Sequence, residues 1–305
     1  MGDITVLVPE DEGEVALADV AGVEVVRYDP GGELPAAAAR AQVLVPPFLA
    51  PTTAVSVVER LPELRLVQLL TAGAEAWVGR LPAGVALSDC RGAHSGATAE
   101  WIVGALISVY RHFPQFVRAQ EARRWDYHVT DTLAGKRVLI VGAGDVAEHT
   151  VRRLAPFEVS TTLVARRARP GVHGIDEVHE LLGRHDACVV IVPLTDATRG
   201  LIDAEFLAAM PDGALLVNAA RGPVADTDAL TAELTSGRLL AALDVTEPEP
   251  LPGDHPLWAA PGLFLCPHVG GSVPGRLERA YRIAAEQIAA FVRGEEPPNL
   301  VADGY

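Results

Sequence analysis

The sequence predicts an α/β protein with two domains, one of them built on a doubly wound parallel sheet. Three observations lead to this prediction. The 305 residues are enough for two sizeable cores. Short apolar runs alternate with helical patterns along the chain, which is typical of parallel sheets. One run, residues 138–141 (VLIV), has the length and the β-branched content of a fully buried strand, and closely spaced glycines follow it.

The first third of the chain predicts a smaller α/β domain with a mainly parallel sheet. Its apolar runs alternate with helical stretches, and none of them is followed by a phosphate-binding loop pattern. We therefore do not expect the cofactor to bind in this section. The predicted strands are residues 4–9, 23–28, 41–46, 64–70 and 83–89, with a helix at 52–61.

The second section cycles regularly between strands and helices and predicts the doubly wound sheet. A long helical pattern at residues 94–120 leads into it, and a last helix at 273–292 is long enough to return to the first domain. The expected domains are therefore residues 1–94 with 277–305 and residues 95–276. Strands of the second are predicted at 138–141, 161–165, 187–192, 214–218, 239–245 and 263–266, with further helices near 204–210 and 228–236.

Gly142 and Gly144, with Ala147 as a third small residue, form the pattern G-x-G-x-x-G/A between a strand and a helix. In this context the pattern binds a dinucleotide, with the pyrophosphate at the helix N-terminus, and is known as the Rossmann fingerprint. We expect the two glycines, Asp145 and Val146 to contact the cofactor. The alternative is a turn in which two glycines occur by chance.

Charged residues follow the predicted carboxyl ends of successive strands, where doubly wound sheets bind ligands. Arg221 follows one strand, the pair Glu247 and Glu249 follows the next, and His268 follows the last. Each has an alternative interpretation. Arg221 could be a surface arginine paired with Asp226, and the two glutamates could be solvated loop charges. His268 could be a partly buried histidine with satisfied hydrogen bonds. Their occurrence together at neighbouring strand ends favours a catalytic site.

Composition argues against several classes of function. The formal net charge of -15, from 25 Lys and Arg against 40 Asp and Glu, disfavours nucleic acid and anionic membrane surfaces, which require a basic field. Cys90, Cys188 and Cys266 show no paired spacing, so neither disulfides nor a metal site is expected. Without a signal-peptide pattern or an apolar run of membrane-spanning length, the expected location is the cytoplasm.

Several motifs in a fixed order make this chain resemble the D-isomer-specific 2-hydroxyacid dehydrogenase family, which includes glyoxylate/hydroxypyruvate reductases and phosphoglycerate dehydrogenase. The resemblance covers most of the chain, and the N-terminal section matches only in its pattern of strands. The motifs are residues 70–73 (LTAG), 94–100 (HSGATAE), the glycine fingerprint, 218–222 (NAARG), 243–252 (LDVTEPEPLP) and 267–270 (PHVG).

The resemblance implies an oxidoreductase that transfers a hydride between a nicotinamide cofactor and a 2-keto acid or D-2-hydroxy acid. It implies that Arg221 binds the substrate carboxylate, that His268 exchanges the proton, and that Glu249, rather than Glu247, orients the histidine. These residue types suit the chemistry. Arginine binds a carboxylate at two points and stays charged, and histidine has an unperturbed pKa of about 6.5.

The resemblance also implies further contacts and an assembly. The backbone amides of Ala72 and Gly73 would bind the substrate carboxylate, and Phe48 would either border the substrate or pack in the core. The first domain would be flavodoxin-like and bind the substrate, and the second would bind the dinucleotide. The protein would be a homodimer. The remaining cofactor contacts implied are Thr98, Pro193, Thr198, Ala219, Ala220, Asp244 and Gly270.

The strand that follows the glycine helix indicates which nicotinamide cofactor is used. An NAD-binding unit usually has an acidic residue at the end of this strand, about 20 residues after the glycines. Here the strand ends in Ala165-Arg166-Arg167, and Arg169 follows. Arginine suits the 2′-phosphate of NADP(H), so NADP(H) is favoured over NAD(H). The alternative is a surface turn with exposed arginines.

The sequence therefore predicts a 2-keto acid reductase that uses NADP(H). A hypothesis of another class is a dinucleotide-binding regulatory protein with little turnover, because a relative of this fold serves as a transcriptional corepressor. Intact Arg221, Glu249 and His268 do not distinguish the two. Residues 272–276 (SVPGR) depart slightly from the pattern that many relatives have after the histidine, which leaves the identity of the keto acid open.

Overall fold

The computed structural model describes residues 3–50 and 52–301, and the chain divides into two compact units. The first unit contains residues 1–94 and 274–305, and the second contains residues 95–273. The sequence placed the return to the first unit at residue 277 rather than 274.

Strands and helices alternate through both units. In the described part of the chain the strands are β1 (Ile4–Val8), β2 (Val23–Arg27), β3 (Ala41–Leu44), β4 (Leu66–Gln68), β5 (Ala86–Ser88), β6 (Arg137–Val141), β7 (Ser160–Ala165), β8 (His173–Gly174), β9 (Ala187–Val190), β10 (Leu215–Asn218), β11 (Leu240–Leu243) and β12 (Leu263–Leu265). The α-helices are α1 (Asp11–Leu17), α2 (Ser95–Tyr110), α3 (Phe113–Glu121), α4 (Asp145–Leu154), α5 (Val178–Leu182), α6 (Ala204–Ala209), α7 (Thr227–Ser236) and α8 (Arg276–Val292). Short 3₁₀ helices cover Ala36–Arg40, Thr52–Arg60, Ala155–Phe157, Ile175–Glu177, Gly222–Val224 and Pro256–Ala259.

The sheet of the first unit is parallel and has the order β2-β1-β3-β4-β5. This is the flavodoxin-like order, whose switch point lies between β1 and β3. Successive residues of β1 alternate between two cores, because side chains of a strand point to opposite faces. Val6 and Val8 pack in the core that contains Tyr281 of α8, whereas Leu7 packs in the core that contains Trp77.

The sheet of the second unit is also parallel and has the order β12-β11-β10-β9-β6-β7-β8. The chain winds outward from β6 in one direction and from β9 in the other, so the switch point lies between these two strands. In β6, Leu139 and Val141 pack in one core while Val138 and Ile140 pack in the other. The predicted fold class, a doubly wound sheet with a smaller flavodoxin-like unit, is confirmed.

The single helix predicted over residues 94–120 is wrong, because the structure has two helices there. Helix α2 ends at Tyr110, and α3 begins at Phe113 after His112, which adopts a left-handed conformation with φ of 53°. Pro114 lacks the amide proton that a continuous helix would need at that position. The helical spacing of apolar residues continues through both helices and by itself predicts one helix. The proline ends the first helix in spite of that spacing.

Other differences concern short elements and the ends of helices. The last helix begins at Arg276 rather than at residue 273, because Pro274 and Gly275 precede it, and the segment Thr52–Arg60 is a 3₁₀ helix rather than an α-helix. The sequence did not predict three short elements, helix α1, helix α5 and strand β8. They have only 7, 5 and 2 residues, which is too short to show a clear spacing of apolar residues. Among the described residues, no helix combines the length and the apolar content needed to cross a bilayer.

Candidate active site

The turn between β6 and α4 requires a glycine at its first position. Gly142 has φ of 115°, and a Cβ there would lie 2.5 Å from the carbonyl oxygen of Ile191. Gly144 differs, because no described atom beyond its chain neighbours lies within 4 Å of the position of its Cβ. Packing of the described residues therefore does not require a glycine at position 144, and the backbone there is open to the close approach of a ligand.

Helix α4 begins directly after this turn and buries Ala147 in the core. Gly144 is the N-cap and has no side chain to bond the first helical amides, which belong to Asp145 and Val146. These amides and the positive end of the helix dipole suit an anionic group. The carboxylate of Asp145 lies 3.8 Å from Nε2 of His149, so we assign only the backbone of Asp145 to anion binding.

The end of β7 carries the arginines that the sequence singled out. Arg166 and Arg167 are exposed directly after the strand. Arg169, which sequence reasoning counted in the run without giving it a role, donates a hydrogen bond from Nη2 to the carbonyl oxygen of Ala143, at 2.8 Å. This contact anchors the arginine segment beside the glycine turn.

The loop after β9 contains two further predicted cofactor residues in one hydrogen-bonded turn. The Thr198 hydroxyl donates to the carbonyl oxygen of Pro193 at 2.6 Å and accepts from the amide of Thr195 at 2.8 Å. Thr198 thereby fixes the backbone of Pro193 at the carboxyl end of the strand next to β6.

Asn218, the last residue of β10, positions the loop that carries Arg221. Its buried side chain accepts a hydrogen bond from the amide of Ala220 at 3.0 Å and donates one to the carbonyl oxygen of Arg221 at 3.2 Å. The Arg221 guanidinium is half-buried and donates from Nη1 to the carbonyl oxygen of Ala220 at 2.7 Å. Ala219 and Ala220 lie between these anchors. Sequence reasoning gave Asn218 no role, although an amide side chain ending an apolar strand was a usable signal.

Gly222 joins the loop after β10 to the loop after β11. A Cβ on Gly222 would overlap the carbonyl group of Thr246 and would lie 2.8 Å from the amide nitrogen of Glu247. Only glycine allows the two backbones to approach this closely. The loops that carry Arg221 and Glu249 are therefore in direct backbone contact.

His268 follows β12 and pairs with one of the two candidate glutamates. Its Nδ1 lies 2.7 Å from Oε1 of Glu249, and both side chains are partly exposed. Glu247 is fixed through its backbone, because its carbonyl oxygen accepts a hydrogen bond from the Thr227 hydroxyl at 2.9 Å. His268 has φ of 54°, a left-handed conformation that is uncommon for residues other than glycine.

Asp244, directly after β11, binds the backbone around His268. It is buried, Oδ1 accepts from the amide of Val269 at 2.8 Å, and Oδ2 accepts from the amide of Gly270 at 2.9 Å. Burial raises the pKa of Asp244, and the two backbone amides oppose that rise. The carboxylate is therefore buried beside His268, with both of its oxygens bonded to backbone amides.

The first turn of α2 and the end of β12 border the same loop. Thr98 lies in that first turn, and Trp101 stacks on Phe264 with ring centroids 6.4 Å apart. A Cβ on Gly270 would lie 3.6 Å from the Trp101 ring. Burial raises the pKa of the Cys266 thiol, and a hydrogen bond with Trp101 opposes the rise.

The remaining predicted residues, Ala72, Gly73 and Phe48, belong to the first unit. Ala72 and Gly73 lie in the turn after β4, where the Thr71 hydroxyl donates to the carbonyl oxygen of Gly73 at 2.9 Å. Phe48 contacts His94 edge to face, with ring centroids 5.3 Å apart. The guanidinium carbon of Arg276 lies 5.5 Å from the centre of the Phe48 ring. Phe48 is therefore a half-buried ring beside two basic residues rather than a fully buried core residue.

Comparisons with known proteins show which family this chain belongs to. The family model of the D-isomer specific 2-hydroxyacid dehydrogenase NAD binding domain matches residues 103–270. A glyoxylate reductase of Thermofilum pendens is 34% identical over 231 residues, which are 72% of this chain and 68% of that protein. Human glyoxylate reductase/hydroxypyruvate reductase is 33% identical over 218 residues, which are 66% of this chain and 65% of that protein.

A solved structure extends the similarity over the full length. A D-isomer specific 2-hydroxyacid dehydrogenase from Xanthobacter autotrophicus Py2, in complex with NADPH and MES, has a TM-score of 0.84 and 31% identity, with 100% of both chains covered. The family model matches more than half of this chain, and the Thermofilum pendens relative exceeds 30% identity over more than two thirds of its length. The chain belongs to the D-isomer specific 2-hydroxyacid dehydrogenase family.

Proposed function

We propose that this protein reduces a 2-keto acid to the D-2-hydroxy acid with NADPH. The observation that carries the proposal is the pair of His268 and Glu249, 2.7 Å apart, at the carboxyl edge of a sheet that also presents the glycine turn. The glyoxylate reductases of Thermofilum pendens and of human support the substrate class, and the relatives named above are enzymes rather than regulators. The regulatory alternative has no support among them.

Each group has a definite task in this reaction. When bound, NADPH supplies the hydride that adds to the carbonyl carbon of the keto acid. Nδ1 of His268 donates to Glu249, so Nε2 is the nitrogen that gives a proton to the carbonyl oxygen. The carboxylate of Glu249 stabilises the charged imidazolium before that transfer. The guanidinium of Arg221 holds the substrate carboxylate in a fixed orientation.

The residues of the second unit fit a dinucleotide. The turn at Gly142 is fixed by packing, whereas the open space at the Cβ position of Gly144 leaves room for a phosphate at the amides of Asp145 and Val146. We therefore propose the second unit, which the sequence placed at residues 95–276, as the dinucleotide-binding domain. The further residues proposed to contact the cofactor are Thr98, Pro193, Thr198, Ala219, Ala220, Asp244 and Gly270.

Arg166 and Arg167 are proposed to bind the 2′-phosphate and thereby to select NADPH. Both are exposed at the end of β7, and the Arg169 contact with Ala143 fixes their segment beside the glycine turn. Changing both to serine is expected to raise the KM for NADPH by at least about tenfold, because charge-assisted hydrogen bonds to the phosphate are lost. The KM for NADH should change little. Steady-state kinetics with the two reduced cofactors provides the measurement.

Arg184→Ser is the matched control for this prediction. Arg184 is an exposed arginine in the same unit, paired with Glu180 at 2.7 Å. This variant should keep the wild-type KM for both cofactors. A wild-type enzyme that prefers NADH, or a double variant with an unchanged KM for NADPH, would remove these arginines from cofactor selection.

We propose the first unit, which the sequence placed at residues 1–94 and 277–305, as the substrate-binding domain. The backbone amides of Ala72 and Gly73, in the turn that the Thr71 hydroxyl fixes, are proposed to bind the substrate carboxylate. Phe48 is proposed to border the keto acid side chain, since its ring is half-buried and at the carboxyl edge of the first sheet.

NADPH consumption across a panel of 2-keto acids tests the proposed function. The panel contains glyoxylate, hydroxypyruvate, phenylpyruvate, branched-chain keto acids and phosphonopyruvate, each offered with NADPH and with NADH. Turnover of at least one of them is expected, with a D-configured product by chiral chromatography. Tight binding of NADPH without turnover of any of them would contradict the proposal and would favour a regulatory protein.

We also propose that the protein is a homodimer, on the basis of the family resemblance and of one surface. The segment from α3 to residue 129 exposes Val117, Trp125, Tyr127 and Val129, with Trp125 95% and Tyr127 87% exposed. Contiguous apolar side chains of this size favour a protein interface. Changing Trp125 and Tyr127 to serine is expected to shift the mass measured by light scattering from a dimer to a monomer.

Trp258→Ser provides the matched control for the dimer. Trp258 is also an exposed tryptophan, at 57%, but lies in the 3₁₀ helix Pro256–Ala259 of the same unit. Its variant should retain the wild-type mass. A monomeric wild-type protein at micromolar concentration would contradict the proposed assembly.

A further inference from the structure

Asp244 accepts hydrogen bonds from the backbone amides at and after His268. The amide of His268 donates to the main-chain carbonyl of Asp244 at 2.7 Å. The next two amides, of Val269 and Gly270, donate to the two oxygens of its carboxylate at 2.8 and 2.9 Å. Three successive amides of the histidine loop are therefore bound by one residue.

These hydrogen bonds stabilise an uncommon backbone conformation at His268. His268 has φ of 54°, and a residue other than glycine keeps this conformation only where its surroundings hold it. The amides that follow His268 point to one side in this conformation, and the carboxylate of Asp244 accepts both. A Cβ on Gly270 would lie 2.7 Å from Oδ2 of Asp244, so the carboxylate and the loop also fit closely.

We propose that Asp244 is a positioning residue for His268. By holding the left-handed backbone, its carboxylate aims the imidazole so that Nδ1 meets Glu249 and Nε2 faces the substrate. This inference rests on the proposed function, and it assigns Asp244 a role beyond a contact with the cofactor. Burial of Asp244 strengthens the two amide bonds, because little water competes for the carboxylate.

Asp244→Asn is the most selective test, because the side chain keeps its shape and loses one acceptor. Its amide group would face one of the two backbone N–H groups, so that the loop relaxes. We expect kcat with the best keto acid to fall by about 10- to 100-fold, as a misaligned proton donor predicts. The Kd for NADPH should rise by a smaller factor, because asparagine keeps one oxygen that can accept a hydrogen bond from the cofactor. The solvent deuterium isotope effect on kcat should increase, because proton transfer from His268 becomes slower.

Hydrogen–deuterium exchange supplies a readout that does not depend on turnover. Peptides that contain Val269 and Gly270 are expected to exchange faster in the variant than in the wild-type holoenzyme. Gly270→Ala, which would displace the carboxylate, should show the same faster exchange and the same loss of kcat. Asp226→Asn is the matched control, because Oδ1 of Asp226 also accepts two backbone amides, of Asp228 and Ala229, at the start of α7. It should keep the wild-type kcat.

The outcomes separate this inference from the proposed function. A variant with normal kcat and a Kd for NADPH raised tenfold or more would overturn the inference and leave Asp244 with the proposed cofactor contact as its only role. A loss of kcat without faster exchange at residues 269 and 270 would overturn it too. Lack of turnover in the wild-type enzyme would count against the proposed function, while the exchange comparison would still decide whether Asp244 holds the loop.

Discussion

His268→Ala is expected to lower kcat for 2-keto acid reduction by about a thousandfold, because a positioned general acid typically contributes about 10²- to 10⁴-fold. The imidazole acts on the carbonyl oxygen rather than on the cofactor. The Kd for NADPH, measured by fluorescence titration, should therefore stay within about twofold of the wild-type value. Steady-state and single-turnover kinetics measure the loss in the chemical step.

Two further variants make this result specific. Glu249→Gln keeps an oxygen for Nδ1 of His268 but removes the negative charge, so an intermediate loss of about tenfold to a hundredfold is expected. His173→Ala is the matched control, since His173 also pairs with a glutamate, Glu177, at 2.8 Å, at the strand β8. It should retain the wild-type kcat. Near-normal turnover of His268→Ala would exclude His268 from proton transfer.

The placement of the charged residues could be predicted because of how parallel sheets are built. Strands covered on both faces appear in the sequence as short apolar runs, so their ends are easy to locate. The residue that follows each run lies at the edge where ligands bind. Arg221, the pair of Glu247 and Glu249, and His268 were found in this way, and the structure places each of them after β10, β11 or β12. The choice of Glu249 over Glu247 rested on the family resemblance instead. The glycine turn could be located in the same way, since it directly follows the apolar run of a buried strand and precedes a helix.

The contacts that hold these residues could not be predicted, because they join loops distant in sequence. Nothing in the apolar pattern indicates that Asp244 accepts the amides of Val269 and Gly270, more than 20 residues later. The same holds for Gly222 against Thr246, which depends on the packing of two irregular loops. Local strain at His268 is also invisible to periodicity, since it arises from the tertiary contacts that impose it.

Gly222→Ala is expected to lower kcat/KM for the keto acid by about a hundredfold, because a displacement of about 1 Å in a catalytic site typically costs that much. The added methyl group would overlap the Thr246 carbonyl and press on the Glu247 amide, which are backbone atoms that cannot rotate away. The loop of Arg221 and the loop of Glu249 must therefore separate. Overpacking of this kind costs about 1–3 kcal/mol, so the protein should still fold with a lowered Tm.

Gly253→Ala tests whether the effect comes from the contact between the loops. Gly253 follows β11 in the same loop as Glu249, but no atom of the described residues, other than its chain neighbours, comes within 4 Å of its Cβ position. Its variant should keep both the Tm and kcat/KM, because the methyl group meets nothing. In Gly222→Ala, a lowered Tm with normal kcat/KM would mean that the two loops can move apart without disturbing the chemistry. A loss of kcat/KM with a Kd for NADPH near the wild-type value would have a different meaning. It would show that the contact between the loops sets the distance from Arg221 to the pair of Glu249 and His268.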